Sequence, residues 1–278
     1  MGNVLGAGSA RKMKTSLEDT VQYRMVVGDV EVPLNQYLGS TIHLSFNGVI
    51  NCIHCDRKTS KSFNQGYCYP CFKRLAQCDS CIVSPEKCHY DQGTCREPEW
   101  GETHCMIDHI VYLANTSGVK VGITRGSQVP TRWMDQGATQ AKPIFRVDSR
   151  HHSGMVEVLF KQRVADRTNW QAMLKGDAAD LDLEQVRLEL LADCRDDLDG
   201  LRERHGLQAI TELEDADETH IRYPVTSYPE KVKSLNLDKT PTIGGTLAGI
   251  KGQYLIFDTG VINIRKYGGY NLTLSLES

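Results

Sequence analysis

Cysteine pairs are the clearest chemical signal in this sequence. Eight of the ten cysteines fall within 44 of the 278 residues, between positions 52 and 95. Cys52-Ile-His-Cys55 and Cys68-Tyr-Pro-Cys71 are two C-x2-C pairs separated by 12 residues. This spacing lets four thiolates converge on one tetrahedral Zn²⁺. Because protein ligands would fill all four positions, it predicts a structural rather than a catalytic site.

A second, less regular set of cysteines follows the first. Its four members are Cys78, Cys81, Cys88 and Cys95. Two residues separate the first pair, and six residues separate each of the last two cysteines from the one before it. They predict a second structural Zn²⁺, with His89 as a competing ligand and exchange of ligands between the two sites left open. The alternative is two redox pairs of the thioredoxin type, which would need a βαβ context that the sequence does not indicate.

The expected cellular setting agrees with metal binding. The N-terminus lacks the apolar run of a secretory signal, and no stretch approaches the roughly 18 to 20 apolar residues of a membrane span. We therefore expect a cytoplasmic protein with no membrane partner, in which thiols bind metal or stay free. Cys105 and Cys194 are left over. Residues 181–205 predict one amphipathic helix, and Cys194 lies on its apolar stripe as a core residue.

The segment between residues 104 and 175 predicts a compact set of elements. An apolar strand at 109–114, a turn and a strand at 119–123 form a hairpin. A helix around 131–136 and a strand at 142–147 follow, and then a helix that begins near Ser153 and carries Glu157.

This order of elements resembles the core of the GIY-YIG nuclease superfamily. Ile110-Val111-Tyr112 stands where that superfamily has Gly-Ile-Tyr, and Lys120-Val121-Gly122 stands where it has Tyr-Ile-Gly. Arg132 matches the arginine that opens the next helix, and Glu157 matches the metal-binding glutamate. Asn169 matches the asparagine of the excision-repair nucleases of this fold. The likeness covers about a quarter of the chain.

The resemblance implies a divalent-metal-dependent endonuclease that acts on DNA or RNA. Glu157 would hold Mg²⁺ or Mn²⁺, and Arg132 would grip the scissile phosphate. Tyr112 would orient or deprotonate the attacking water, and Asn169 would position a phosphate oxygen or the water shell of the metal. We expect these four side chains to share one concave surface.

Two departures from the superfamily pattern keep other functions open. Lys120 replaces the second tyrosine, as in some branches, and is the candidate catalytic base in its place, provided that burial and nearby positive charge leave it neutral and able to accept a proton. Gln136 stands where homing-type members often carry histidine. The alternative function is a non-catalytic, zinc-containing nucleic-acid-binding or adaptor protein that keeps the nuclease core as a docking platform. A third is a protein-interaction module. The whole chain also resembles a bacterial family called domain of unknown function 2797, a name that assigns no activity.

The flanking segments must position these residues. Residues 20–51 and 242–276 are rich in β-branched and aromatic residues between glycine turns, so they predict strands. Neither forms a comfortable β-core alone, so we expect the two to pair. The predicted α+β organisation is an N-terminal β segment, a double zinc module, a GIY-YIG-like core, an acidic helical region and a C-terminal β segment, at 1–50, 51–103, 104–176, 177–220 and 221–278.

Charge is distributed unevenly along the chain. Residues 177–218 carry 15 Asp/Glu against 4 Lys/Arg, so this block has a net charge of −11 and the other 236 residues have +8. A basic remainder is compatible with a nucleic-acid partner. The acidic block predicts a solvated helix face. The sequence leaves the oligomeric state open.

Overall fold

The computed structural model describes residues 2–164 and 168–277, which form an α+β fold. The strands are β1 (Asn3–Ser9), β2 (Lys14–Ser16), β3 (Gln22–Val27), β4 (Val30–Pro33), β5 (Thr41–Asn51), β6 (Lys58–Thr59), β7 (His109–Asn115), β8 (Val119–Arg125), β9 (Gln140–Val147), β10 (Ile210–Glu212), β11 (Thr219–His220), β12 (Thr242–Lys251), β13 (Tyr254–Phe257), β14 (Gly260–Asn263) and β15 (Tyr270–Leu276). The α-helices are α1 (Tyr69–Arg74), α2 (Pro98–His104), α3 (Thr131–Asp135), α4 (Arg150–Phe160), α5 (Trp170–Met173), α6 (Leu183–Asp193) and α7 (Arg195–His205).

Strands from the two ends of the chain lie in one antiparallel sheet. Its order is β1, β15, β5, β12, β13 and β14, with β6 beside β5. Tyr270, Leu272 and Leu274 of β15 are buried while the residues between them are not, the period-two pattern of a strand with one face on a core. A smaller sheet of β2, β3 and β4 contributes Tyr23 and Met25 to the same core. We refer to this part as the β region.

A second antiparallel sheet, ordered β10, β9, β7 and β8 with β11 beside β9, forms the centre of the molecule. Both faces of β7 are covered. Val111 and Leu113 pack with residues of α4, α6 and α7, whereas Tyr112 and Ala114 pack with the β region. Burial on both faces explains why this strand is a continuous apolar run rather than an alternating one.

Two helices differ from the sequence expectation. The helix that carries Glu157 begins at Arg150 instead of near Ser153, because the side chain of Ser149 accepts the backbone N–H of His152 (3.2 Å) and caps it. The single apolar stripe of residues 181–205 is divided at Cys194 into α6 and α7. Cys194 itself is buried in the core, as predicted.

The cysteine-rich segment 51–103 contains little regular structure. It has the two-residue strand β6, the short helices α1 and α2, and three 3-10 turns at Ala76–Cys78, Ser80–Ile82 and Pro85–Lys87. We call this segment the cysteine module. Among residues 2–164 and 168–277, no helix combines the length and the apolar character needed to cross a membrane.

Candidate functional site

The first cysteine quartet comes together as the C-x2-C spacing predicts. Single ligand atoms of Cys52, Cys55, Cys68 and Cys71 all lie within 4.8 Å of one another. The Sγ atoms of Cys55 and Cys68 are 3.8 Å apart. Zinc–sulfur bonds of about 2.3 Å in a tetrahedron also place sulfurs about 3.8 Å apart. The quartet is therefore compatible with a structural Zn²⁺.

Burial and the backbone act in opposite directions on these thiols. Burial raises the pKa of Cys52, but backbone N–H groups of Cys55, Cys68 and His54 outweigh it and bring that pKa down to about 6. Burial and hydrogen bonds with the other three thiols raise the pKa of Cys71 far above its ordinary value. Ionisation of all four thiols so close together requires a nearby cation, which a zinc ion would supply.

The second cysteine set differs from the expected grouping. Cys78 packs in a buried cluster with Cys52, Cys68, Cys71 and Leu75, because the turn Ala76–Cys78 directly follows α1 and continues its packing.

The other three expected ligands line a small cavity beside this cluster. Among the described residues, the thiols that line it are Cys81, Cys88, Cys95 and Cys105. Burial, Asp79 and the thiols of Cys88, Cys105 and Cys95 together raise the pKa of Cys81 to about 11. Cys105, which the spacing left unassigned, therefore belongs to this neighbourhood.

A large basic cleft of about 740 Å³ lies between the cysteine module, the central sheet and the β region. Its cationic side chains are Arg11, Lys12, Arg125, Arg132, Arg150, Lys161 and Arg265. The acidic side chains among its described lining residues are Asp135 and Glu157. Seven cations against two carboxylates give this lining a net charge of +5.

Three arginines from separate parts of the chain influence one another in the cleft. Burial lowers the pKa of Arg150, and Arg132 is among the charges that lower it further. Burial and then Arg132 also lower the pKa of Arg265. Guanidinium groups stay protonated, so these positively charged side chains repel one another. A bound anion would relieve the repulsion.

Arg150 is held by the cysteine module. Its Nη2 donates to the carbonyl oxygen of Ile82 (2.6 Å), while no described residue accepts a hydrogen bond from its buried Nε. A buried donor of this kind favours an additional acceptor.

Tyr112 lies behind the cleft lining and is fully buried. Its hydroxyl donates to Oε1 of Gln136 (2.9 Å). Burial raises the pKa of Tyr112 to about 12; Arg132 opposes this shift and Glu157 adds to it. The guanidinium and the carboxylate that line the cleft therefore act electrostatically on the phenol behind it. Gly122 pairs with Tyr112 across the hairpin, and a Cβ at position 122 would lie only 2.7 Å from the phenol oxygen.

Glu157 points into the cleft from α4, and its surroundings do not fit a resident Mg²⁺ or Mn²⁺. Its carboxylate is ion-paired with Nζ of Lys161 (3.2 Å). The other carboxylate of the cleft, on Asp135, pairs with Nζ of Lys12 (2.7 Å) and accepts from Gln253 (2.8 Å). These ions prefer several oxygen ligands, whereas the ion partner of Glu157 within the described part of the chain is a cation. The arrangement suits a phosphate better than a divalent cation.

Comparison with known proteins places the chain in a family. A family model described as a protein of unknown function, DUF2797, matches residues 39–272. The chain belongs to the DUF2797 family. The match includes the whole cysteine module and every cleft residue named above except Arg11 and Lys12. No curated protein and no solved structure matches the chain, so the likeness to GIY-YIG nucleases depends on the sequence motifs alone.

Asn169 of this DUF2797 chain lies away from the cleft, contrary to the expectation of a shared concave surface. Its Oδ1 caps α5 by accepting the N–H of Ala172 (3.1 Å), and its own N–H donates to Oγ of Ser117 (3.1 Å). Ser117 is in the hairpin turn, whereas Thr124 lines the cleft at the other end of β8. At about 3.3 Å per residue these two ends are roughly 20 Å apart.

Lys120 is also separated from the cleft. It is buried on β8 opposite Ala114, nearer the turn than the Tyr112–Gly122 pair. The residues of β8 that line the cleft, in the part of the chain that the structure describes, are Ile123, Thr124 and Arg125. Arg132 and Glu157 are thus the predicted catalytic residues in the DUF2797 cleft, with Tyr112 directly behind them.

Sequence reasoning missed the other arginines of the cleft. Arg11, Arg125, Arg150 and Arg265 are single residues in separate elements, and no spacing relates them. Only the pairing of the chain ends and the packing of α4 bring them together. Gln136 was visible as a departure from the superfamily pattern, and it is the hydrogen-bond acceptor of Tyr112.

Proposed function

We propose that this chain binds nucleic acid through the basic cleft and that the Cys52 quartet holds a structural Zn²⁺ beside it. The observation that carries the proposal is the convergence of arginines from three separate segments in one cleft. Arginine is the residue best suited to phosphate recognition, because its planar fork donates two parallel hydrogen bonds.

The charge of the cleft favours several phosphates over one. Its lining carries +5, whereas a single phosphate monoester brings only about −1.5 to −2. A strand with one negative charge per nucleotide can place several phosphodiesters against separate arginines. Tyr67 and Ile53 in the same lining offer apolar and aromatic surface to a base.

A binding measurement tests this proposal. Fluorescence anisotropy would follow single-stranded DNA, the matching duplex and RNA of the same sequence at several salt concentrations. In the double variant R132A/R265A we expect affinity to fall about 100-fold and the salt slope to decrease by about 2, because two charged contacts are lost.

The control is Arg204→Ala, on the exposed side of α7 and outside the cleft, which should bind as the unaltered chain does. Equal losses in both variants, or no salt-dependent binding of any nucleic acid, would contradict the proposal. Binding of free nucleotides without binding of strands would replace it with a nucleotide site.

The proposed zinc at Cys52, Cys55, Cys68 and Cys71 is structural and orders the wall of the cleft that includes Ile53 and Tyr67. It acts on binding only through that wall, because all four ligand positions are filled by protein. Thiolate ligands require a reducing setting, so we also propose a cytoplasmic location.

A second candidate function is hydrolysis of the bound phosphodiester. The observation that favours it is that Arg132 and Glu157 line the same cleft and act electrostatically on the buried Tyr112. With a pKa near 12 and its ring buried behind the cleft lining, Tyr112 would stay protonated and hold Gln136 through its hydroxyl rather than contact the substrate. Glu157, which lines the cleft, would accept the proton of the attacking water. Arg132 would stabilise the charge that develops on the phosphate.

Hydrolysis is tested by incubating labelled DNA and RNA with the protein, with and without added Mg²⁺ or Mn²⁺. If the chain is a nuclease, Glu157→Gln should abolish cleavage while retaining nucleic-acid binding. Glu189→Gln, on α6 and outside the cleft, should cleave normally. Cleavage that persists in Glu157→Gln would come from another source, and binding without cleavage leaves the first function alone.

A further inference from the structure

We propose that Cys81, Cys88, Cys95 and Cys105 form a second metal site for a zinc-like dication that prefers four thiolates. In this set Cys105 takes the place that sequence spacing gives to Cys78. The site lies in the cysteine module, separate from the Cys52 quartet.

The cavity between these four residues has the dimensions of an ion site. Its volume is about 20 Å³, whereas one water molecule needs about 10 to 15 Å³ on the same measure. No organic ligand fits such a space. Its lining includes four soft sulfur ligands, which is the donor set that selects zinc among the common divalent metals. No three of these sulfur atoms lie within 4.8 Å of one another, as those of the Cys52 quartet do, so a bound ion would draw the four thiols inward by rotation of their side chains.

Three of the ligands come from consecutive turns of the chain. Cys81 lies in the 3-10 turn Ser80–Ile82, and Cys88 caps the turn Pro85–Lys87. Cys95 follows in the loop before α2. A metal bound by these thiols would hold the three consecutive turns together.

The fourth ligand comes from the end of α2, which approaches closely because of a glycine. A Cβ at Gly101 would lie 3.1 Å from the ring of Tyr90 and 3.5 Å from Sγ of Cys95. Cys105 is four residues further along, and its backbone N–H donates to the carbonyl oxygen of Gly101 (2.7 Å). Residues spaced by four share one helix face, so the side that approaches Cys95 also presents Cys105.

Asp79 and His89 also border this cavity, and ligand atoms of Asp79, Cys81 and His89 lie within 4.8 Å of one another. Both side chains already have polar partners. The carboxylate of Asp79 pairs with Nε of Arg96 (2.7 Å), and the ring of His89 contacts Oγ1 of Thr94 (2.7 Å) and Asp79 (3.5 Å). These contacts suit groups that surround and orient a metal site rather than bind the ion.

The site is joined directly to the basic cleft. The backbone N–H of Arg150 donates to the carbonyl oxygen of Cys105 (2.7 Å), and the Arg150 side chain reaches Ile82. The two hydrogen-bond acceptors of Arg150 are therefore Cys105 and Ile82, the residue after Cys81. A metal bound by Cys81 and Cys105 would hold both acceptors in place.

Metal analysis of purified, reduced full-length protein tests the assignment, with Cys78→Ser as the matched control for Cys105→Ser. We expect two Zn²⁺ per unaltered chain, two in Cys78→Ser and one in Cys105→Ser. One Zn²⁺ in the unaltered chain, or loss of an ion from Cys78→Ser with retention in Cys105→Ser, would overturn the proposal.

A measurement on the unaltered chain covers the case in which Cys105→Ser fails to fold. After replacement of zinc by ¹¹³Cd, NMR should show two resonances, both at shifts typical of four sulfur ligands. A resonance typical of mixed sulfur with nitrogen or oxygen ligands would assign His89 or Asp79 to the ion and overturn the four-thiolate site.

Discussion

Two of the three walls of the basic cleft, the central sheet and the cysteine module, are stabilised by different forces. On one side, the central sheet packs Val111, Leu113 and Phe145 against α4, α6 and α7 in an extensive apolar cluster. On the other side, the buried cluster of the cysteine module consists of five residues, four of which are cysteines. A segment with so little apolar burial cannot fold through the hydrophobic effect alone. We infer that metal stabilises one wall and apolar packing the other.

Removal of zinc should therefore have the largest effect, and only on one wall. Structural Zn²⁺ contributes about 10 to 16 kcal/mol in small domains, more than the cysteine module can replace. After chelation, hydrogen exchange followed by mass spectrometry should show loss of protection in residues 51–103 and retained protection in β7, β8 and β9. Loss of protection in both walls together would show that they form one cooperative unit.

The same contrast explains how much the sequence could predict. The Cys52 quartet was predictable because its ligands lie in two short local motifs, whose geometry the backbone fixes. The place of Cys105 in the proposed second site depends on how α2 packs against Tyr90. The spacing of cysteines in the sequence does not predict this packing. Likewise, the hairpin followed from its turn residues and apolar runs, whereas the start of α4 was missed because Ser149 and Ser153 are both possible caps.

The candidate catalytic residues also divide into those that the sequence located correctly and one that it did not. Tyr112, Arg132 and Glu157 fall close together because β7, α3 and α4 are neighbours in the predicted core. Asn169 was misplaced because its position depends on a contact with the hairpin turn at Ser117. A resemblance in the order of elements says where a residue lies along the chain, but its partner in space decides which cavity it reaches.

Acid should lower the free energy of unfolding through His109, which lies in the central sheet. Nδ1–H of His109 donates to the carbonyl oxygen of Ile107 (2.7 Å), and no described residue hydrogen-bonds its buried Nε2. Burial, with smaller contributions from Arg150 and Arg125, lowers the pKa of His109 to about 4. The unfolded chain takes up this proton near pH 6.5. Stability is therefore complete above that pH and decreases between about 6.5 and 4, by about 3 kcal/mol in total.

Urea unfolding of the unaltered chain and of His109→Gln at several pH values measures this effect. The variant should lose less stability on acidification than the unaltered chain does. The matched control is His220→Gln, because the side chain of His220 is 63% exposed and should not change the pH dependence. Identical pH profiles for all three proteins would mean that acid destabilises the protein only through the thiols of the cysteine module.

The smallest expected effect tests the packing between Gly122 and Tyr112. In Gly122→Ala the new methyl group would stand 2.7 Å from the phenol oxygen, and the ring cannot retreat because it is fully buried against Trp133. Overpacking of this kind costs about 1 to 3 kcal/mol.

Gly200→Ala is the matched control, because nothing lies within 4 Å of a Cβ there and the position is inside α7. It should stabilise the protein by up to about 1 kcal/mol. The two alanines should thus shift the unfolding free energy in opposite directions, while the zinc content stays the same in both. Loss of zinc from Gly122→Ala would show that strain in the sheet wall reaches the cysteine module, and the two walls would then be coupled rather than independent.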